Sequence, residues 1–186
     1  MSVPIRRAGR TEEADGRVTT WTIAEGRRGR RWRWTVTGSG GGASVAHTLE
    51  TSPAGAFERL ESATAHGLLT LHREADGSVH GNLVGPEGVR PIAIPAPAPD
   101  VVLIDSGPVG SAALIASVGP LAEAITIEVI RVDDELRTHL EACTLRPLGR
   151  GRVLLDLAGD ATEVVLDADG LPAGEVGSTS WPLEEA

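Results

Sequence analysis

The sequence is poor in several residue types, and each shortage limits what the protein can be. The chain of 186 residues contains no lysine and no tyrosine, one phenylalanine and one cysteine, Cys143. A single cysteine excludes a disulfide within the chain and does not favour a cysteine-based metal site. We expect Cys143 to act as a small buried apolar residue. No apolar run approaches the roughly 20 residues of a transmembrane helix, so the sequence predicts no stable membrane insertion.

The beginning of the chain lacks the apolar segment of a secretory signal. Residues 1–17 contain charged side chains but no apolar stretch, so by default we expect a cytoplasmic protein. The first dozen residues, 1–12, show no regular pattern and are predicted to form a flexible arm. The length and the 41% of hydrophobic residues are ordinary for a globular protein, and they predict a single β-barrel-like domain over residues 1–186.

Positive charge is also scarce. The chain has 17 basic residues, all of them arginine, against 26 acidic residues, and its formal net charge is −9. Nucleic-acid binding depends on basic side chains that neutralise phosphates. The acidic balance therefore predicts that nucleic acid is not a partner of this protein.

The sequence does contain a series of short β-type runs, separated by Gly, Pro and Asp. About a dozen such runs follow one another at the roughly 8–12-residue spacing that is typical of an all-β barrel or sandwich. The candidate strands are residues 17–24, 30–36, 43–50, 57–62, 67–74, 78–84, 89–94, 100–105, 124–132, 136–145, 151–158 and 161–168. We predict an all-β fold, a single antiparallel open barrel or half-barrel of about ten to twelve strands with one or two short helices.

One segment in the middle of the chain has helical features. Residues 109–118, VGSAALIASV, carry small and apolar side chains at helical spacing, and Gly119 and Pro120 follow. Ser106 is a candidate N-cap and Pro108 suits a first helical turn. A short apolar run of this kind could equally be a buried strand, so the sequence leaves both alternatives open.

The stretch RRGRRWRWTV, residues 27–36, alternates arginine with tryptophan. Basic residues and aromatics occur together in grooves for single-stranded nucleic acid, where both must lie on the same accessible side. In a strand, however, Trp32 and Trp34 share one face and Arg31 and Arg33 share the other. The pattern therefore favours two indoles that point into a core or cavity, with the guanidinium groups outside.

The segment LHREADGSVHGN, residues 71–82, predicts a hairpin that carries two histidines. With a three-residue turn and a Gly bulge, Glu74 pairs with Ser78 and His72 lies directly opposite His80. With a two-residue turn the register shifts by one, and Arg73 faces His80 instead. In the first register, two imidazoles on one face could bind a metal or a polar ligand, or could be ordinary polar residues of a half-exposed sheet.

Motifs for covalent or cofactor chemistry are missing. No G-x-S-x-G pattern of an esterase occurs in the sequence. The glycine-rich stretch 38–44, GSGGGAS, has no P-loop lysine and no amphipathic helix after it, so it reads as a hairpin loop rather than a phosphate cradle. The sequence therefore predicts no catalytic residue, no metal site and no cofactor.

The C-terminal part of the chain resembles a known family. The segment ATEVVLDADGLPAGEVGSTSWPLEEA, residues 161–186, is similar to the final hairpin of a glycolipid-binding family of bacterial proteins. GLLTLHREADGSVHGNLVG and PVGSAALIA are compatible with the middle strands of that family. The resemblance implies an open β-barrel like that of the lipoprotein-localisation factors. One expected block is represented only by VRPIAIP, residues 89–95, and no individual functional residue is carried over.

These observations lead to one leading hypothesis and two alternatives. The leading hypothesis is non-enzymatic binding of a hydrophobic or amphipathic small molecule, lipid-like or glycolipid-like, in a concave β-sheet. Trp21, Trp32 and Trp34 would wall the site, and His72 and His80 would meet a polar head. The first alternative is a His-dependent or metal-assisted hydrolase or isomerase that uses the two histidines. The second is a homodimeric protein-interaction module that associates through an exposed edge strand.

Overall fold

The structure, a computed structural model, describes residues 6–12, 15–38, 44–167, 170, 172–175 and 179–180. The first eight strands are β1 (Arg6–Glu12), β2 (Val18–Gly26), β3 (Gly29–Thr37), β4 (Ser44–Thr51), β5 (Phe57–Thr64), β6 (Gly67–Arg73), β7 (Val79–Gly85) and β8 (Gly88–Ile94). The remaining elements are β9 (Val102–Ile104), α1 (Gly107–Val118), β10 (Ile125–Val132), β11 (Thr138–Gly149), β12 (Arg152–Leu157), β13 (Asp160–Leu166), β14 (Pro172–Glu175) and β15 (Thr179–Ser180). The protein is therefore all-β, as predicted.

The strands form two sheets. The larger one has nine strands in the order β15-β1-β2-β3-β4-β5-β6-β7-β8, and all its pairs are antiparallel. The smaller one has six strands in the order β14-β13-β12-β11-β10-β9 and curls into an open half-barrel. β13 and β14 form an antiparallel pair, and β15, which follows them, joins the larger sheet beside β1.

The prediction of one wholly antiparallel sheet is wrong in two respects. The described strands divide between two sheets, and β9 pairs with β10 in the parallel direction. The parallel pair is a consequence of α1, which lies between these two strands in sequence. A hairpin reverses the chain, whereas a helical crossover returns it to the same end of the sheet, so the next strand runs in the same direction.

The prediction of ten to twelve strands is too low. Three of the fifteen described strands, β1, β14 and β15, fall outside the candidate runs. Residues 6–12, which we expected to belong to a flexible arm, form β1 and pair with β2 along their whole length, from Arg6 opposite Ala24 to Glu12 opposite Val18. Backbone hydrogen bonds to β2, rather than burial of side chains in the core, hold this segment in place. It therefore needs no alternation of apolar residues.

The segment that the sequence left open between helix and strand is the helix α1. It contacts β3 of the larger sheet and β9, β13 and β14 of the smaller one, and its residues 108–115 are all buried. Its small side chains permit this close approach. A Cβ atom on Gly110 would stand 2.3 Å from the carbonyl oxygen of Ile104, a distance that no real side chain tolerates. The helix thus fills most of the space between the sheets.

The buried apolar residues of both sheets and α1 form one hydrophobic core. In β3 the burial alternates with a period of two, and Trp32, Trp34 and Val36 point inward. Cys143 is also buried, as predicted, and burial raises the pKa of its thiol to about 11. Among the described residues, no helix is both long enough and apolar enough to span a membrane.

Candidate functional site

The three predicted site tryptophans lie on the inner face of the larger sheet. Trp21 on β2 is directly opposite Trp34 on β3. Trp32 lies two residues before Trp34 in β3, on the same face of the strand. Their exposed fractions are 4%, 2% and 0% for Trp21, Trp34 and Trp32. The neighbouring Arg31 and Arg33 are exposed. The predicted division into an indole face and a guanidinium face is confirmed, and these indoles offer no accessible surface for stacking bases.

Trp34 anchors the N-terminal end of α1. Its indole Nε1 donates a hydrogen bond to the carbonyl oxygen of Ser106, at 3.1 Å, immediately before the helix begins. The ring also contacts the imidazole of His47 on β4, with 4.7 Å between the ring centroids. A buried indole needs an acceptor for its N–H group, and here the acceptor is the chain at the start of the helix.

His47 is a buried polar residue that sequence reasoning did not select. It is 5% exposed, and its Nδ1 lies 2.8 Å from the Oγ atom of Ser62. Its Nε2 has no hydrogen-bond partner among the described residues. Burial lowers the pKa of His47 from 6.5 to about 4, because the protonated ring would lose its hydration in the core. The ring is therefore neutral at physiological pH.

Two cavities lie at the other end of α1, and we call them together the slot. The larger one, of about 500 Å³, lies between the end of the helix and the smaller sheet. Its apolar lining consists of Ile115, Ala116, Pro120, Leu121, Pro147, Val153 and Leu166. The other, of about 310 Å³, lies between the helix end and the larger sheet, where Trp32 lines it. Both volumes are in the roughly 300–1,000 Å³ range of small-molecule sites.

The two cavities meet at Arg30. This residue, Ala116 and Gly119 line both of them. The Arg30 guanidinium donates from Nε and Nη2 to the Oε2 atom of Glu25, at 3.0 and 2.5 Å, and its Cζ lies 5.5 Å from the centre of the Trp32 ring. Its Nη1 has no acceptor among the described residues. Arg30 can therefore contribute one further charge-assisted hydrogen bond at the junction.

Glycine residues form part of the walls of the slot. Gly29, Gly55, Gly119, Gly149 and Gly151 line one cavity or the other. Gly29 has φ +104°, and a Cβ atom there would stand 1.9 Å from the carbonyl oxygen of Thr51. Only glycine allows the β2–β3 hairpin to approach the β4–β5 turn this closely. A Cβ atom on Gly119 or Gly149, in contrast, would meet nothing within 4 Å, so these two glycines leave open space beside the slot.

The two predicted histidines lie elsewhere. His72 on β6 is directly opposite His80 on β7, and the Glu74–Ser78 pair closes the hairpin, so the three-residue-turn register is confirmed. Both rings are on the exposed face of the sheet. His72 Nε2 lies 2.9 Å from Glu74 Oε1, and His80 Nε2 lies 3.1 Å from Ser78 Oγ. Their contacts are local, and neither residue lines the slot.

Among the described residues, the His72–His80 pair has no third residue with which it could hold a metal ion. Within the part of the chain that the structure describes, no group of three or more His, Cys, Asp and Glu residues could hold a metal ion. The tryptophans and the histidines, which the sequence placed in one site, therefore occupy opposite faces of the larger sheet. Of the five predicted site residues, Trp32 alone lines the slot.

A third and smaller cavity lies at the N-terminal end of α1. It has a volume of about 220 Å³. Arg131 crosses it and donates to Asp105 Oδ2 at 2.6 Å and to Glu141 Oε2 at 3.0 Å. Partial burial raises the pKa of Asp105, against the lowering effect of its bond to Arg131. The two ends of the helix thus differ in the size of the space beside them.

Sequence reasoning missed Arg30, Ala116, Leu121, Val153 and Leu166 as site residues. They come from segments of the chain that are far apart, and no motif connects them. The one available signal was the density of Gly and Pro around residues 119–120 and 147–151. That signal indicates turns, but it does not show that two turns face each other.

Comparison with known proteins supports the fold only. No protein family matches the chain, and no curated protein matches it. A solved structure, that of a DUF1089 family protein from Pseudomonas aeruginosa, is similar with a TM-score of 0.56 and 14% sequence identity, over 94% of this chain and 90% of that chain. A likeness at this identity extends to the mostly β fold and no further. No family match supports the finer expectation of a glycolipid-binding or localisation-factor-like barrel.

Proposed function

We propose that the protein binds a hydrophobic or amphipathic small molecule in the slot, without chemical conversion of that molecule. The observation that carries this proposal is the pair of cavities that meet at Arg30. The apolar part of the ligand would lie between the end of α1 and the smaller sheet, against Ile115, Leu121 and Val153. The polar part would face Arg30. A mostly apolar pocket with a few placed polar groups is the usual form of a small-molecule site.

The role of the tryptophans in this proposal differs from the original hypothesis. Trp32 forms part of the floor of the slot, beneath Arg30. Trp21 and Trp34 do not line the slot; both belong to the hydrophobic core, and Trp34 holds the start of the helix. The histidine pair contributes nothing to the slot and does not meet the head of the ligand in this arrangement.

The experiment that tests the proposal is a fluorescence titration with two probes. N-phenyl-1-naphthylamine is neutral and apolar, and 1-anilinonaphthalene-8-sulfonate is an amphipathic anion. We expect both to bind, with energy transfer from tryptophan to the probe. Ala116→Phe places a phenyl ring where both cavities meet and should weaken the binding of each probe at least tenfold, a loss of about 1.4 kcal/mol or more.

The matched control is Ala142→Phe, which adds the same group at an exposed position of β11. It should leave the affinity for both probes unchanged. The proposal is wrong if neither probe binds the wild-type protein with defined stoichiometry. It is equally wrong if Ala116→Phe binds both probes as tightly as the wild-type and control proteins do.

The homodimer remains a second proposal, because one surface feature favours it. Leu68, Val84 and Val89 are paired across β6, β7 and β8 and form an exposed apolar row, with exposed fractions of 42%, 46% and 67%. The row runs to β8, an edge of the larger sheet. Size-exclusion chromatography with mass detection over a range of concentrations tests this idea, and a constant monomer mass would contradict it.

A further inference from the structure

A group of arginines surrounds an open depression next to the slot. Its walls hold five of them, and we call these residues the arginine patch: Arg6, Arg27, Arg28, Arg30 and Arg31. Three glutamates line the same depression, namely Glu25, Glu50 and Glu58. Five cations against three anions leave this surface positive, on a chain whose net charge is −9. The charge of the protein is therefore distributed unevenly.

The arginines that can bind an external partner lie at the tip of the β2–β3 hairpin. Arg27 and Arg28 form the two-residue turn beyond the last pair of the β2–β3 hairpin, Gly26 opposite Gly29. Both side chains are exposed. Neither has a carboxylate partner among the described residues, whereas Arg30 and Arg31 pair with Glu25 and Glu50. An unpaired guanidinium at a turn meets an external anion without first breaking an internal ion pair.

We propose that the arginine patch docks the protein reversibly on an anionic lipid bilayer. This inference goes beyond the binding of a ligand in the slot, and its choice of a lipid bilayer rests on that proposed function. Basic side chains at an anionic membrane surface each contribute about 1 kcal/mol, which corresponds to roughly fivefold in binding per arginine. Charges farther away than about 8 Å are screened at physiological salt, so the acidic remainder of the chain does not cancel the effect of the tip.

The position of the patch favours a bilayer over other anionic surfaces. The depression and the smaller cavity of the slot share Glu25, Gly26, Gly29, Arg30 and Thr51. Docking through the hairpin tip would therefore bring the slot close to the lipid surface, where amphipathic molecules are found. Single-stranded nucleic acid would also require aromatic rings beside the arginines. Trp32, the aromatic residue closest to Arg30 in the sequence, is 0% exposed.

The test is co-sedimentation of the full chain with large unilamellar vesicles. Vesicles of phosphatidylcholine mixed with phosphatidylglycerol are compared with vesicles of phosphatidylcholine alone. We expect binding to the anionic vesicles only, and this binding should weaken as salt is added. The variant Arg27→Gln/Arg28→Gln should bind the anionic vesicles about 25-fold more weakly, since two arginines are removed.

The control variant is Arg90→Gln/Arg146→Gln, which removes two exposed arginines elsewhere and causes the same change in net charge. It should retain binding within about twofold, as expected for distant, screened charges. Equal losses in the two double variants would overturn the proposal, because net charge and not the tip would then control binding. Absence of binding by the wild-type protein, or preferential binding to a single-stranded oligonucleotide that competes with the vesicles, would also overturn it.

The failure of this inference is distinguishable from the failure of the proposed function. N-phenyl-1-naphthylamine carries no charge, and the slot does not include Arg27 or Arg28. The tip variant should therefore bind this probe as the wild-type protein does. Loss of vesicle binding with retained probe binding separates the docking surface from the slot.

Discussion

The two ends of α1 meet the rest of the protein in different ways. At the N-terminal end, large or charged side chains close the structure: Trp34 bonds to the chain before the helix, and Arg131 joins Asp105 and Glu141. The remaining cavity there is about 220 Å³. At the C-terminal end the neighbours are hairpins and turns, and the cavities are about 500 and 310 Å³.

The difference lies in the surroundings of the helix and not in the helix itself. The residues of α1 are small or aliphatic from one end to the other, GPVGSAALIASV. What changes is that Gly119 and Gly149 stand next to open space at the C-terminal end, where a Cβ atom would meet nothing within 4 Å. Interiors are ordinarily filled to close packing. A wall without side chains beside a thin helix leaves space, and the cavities at this end are accordingly larger.

The largest expected effect is a difference in the free energy of unfolding between substitutions at the two ends of α1. Trp34→Ala removes a buried indole, its hydrogen bond to Ser106 and its contact with His47, and should lower the free energy of unfolding by about 3–5 kcal/mol. Leu121→Ala, at the half-buried rim of the slot, should cost less than about 1 kcal/mol. Urea unfolding followed by circular dichroism measures both. Similar losses in the two variants would show that the ends are equally well packed.

Acid should weaken the N-terminal end in particular, through His47. The pKa of this residue is lowered from 6.5 to about 4 in the folded protein, so between these values the unfolded chain binds the additional proton. Stability is therefore lost as the pH falls from 6.5 towards 4, by about 1.4 kcal/mol per pH unit at most.

The variant His47→Leu/Ser62→Ala isolates this contribution, because it removes both partners of the buried hydrogen bond. Unfolding free energies at pH 6.5 and 4.5 should differ by about 2–3 kcal/mol less in the variant than in the wild-type protein. If both proteins lose the same stability over this interval, His47 is not the group that takes up the proton.

At the C-terminal end, Arg30 should distinguish an anionic ligand from a neutral one. Arg30→Gln removes the charge at the junction of the two cavities, and it should weaken the binding of 1-anilinonaphthalene-8-sulfonate about fivefold, equivalent to about 1 kcal/mol. The binding of neutral N-phenyl-1-naphthylamine should not change. Arg33→Gln, on the exposed face of the same strand, is the control and should affect neither probe. A similar loss for both probes would mean that Arg30 shapes the slot rather than binds a head group.

The smallest expected effect concerns the cavity at the N-terminal end. Ser111→Val adds apolar volume to that cavity, which Ser111 lines. Because the proposal places the ligand at the opposite end of the helix, affinity for both fluorescent probes should stay within about twofold, well below the 1.4 kcal/mol that a tenfold change requires. A loss comparable to that of Ala116→Phe would place the ligand at the wrong end of α1.

Local patterns predicted the local structure of this protein well. The alternation of Trp32 and Trp34 with Arg31 and Arg33 correctly predicted which face is buried, because a strand offers two faces only. The Asp76-Gly77 turn, with its bulge, predicted the His72–His80 register as one of two alternatives. Both inferences rest on neighbours within a hairpin, where chain connectivity determines the geometry.

The site could not be predicted in the same way. Its walls come from residues 25–26, 29–30, 32, 51–55, 115–121, 147, 149, 151–153, 166–167 and 170, and no periodicity within any of these segments shows that they converge. The strand β1 was missed for a related reason, since a strand held by backbone hydrogen bonds to β2 needs no apolar pattern. Positions without side chains were decisive in the slot, and a sequence indicates a glycine without indicating what it faces.

The most direct test of the central claim is native mass spectrometry of the protein as purified from cells, followed by denaturing extraction of whatever accompanies it. The wild-type and Ala142→Phe proteins should carry a small amphipathic molecule, and Ala116→Phe should be purified without it. A molecule retained in all three proteins would place the binding site outside the slot. A bare wild-type chain that also fails to bind either probe would contradict the claim that the slot is a ligand site.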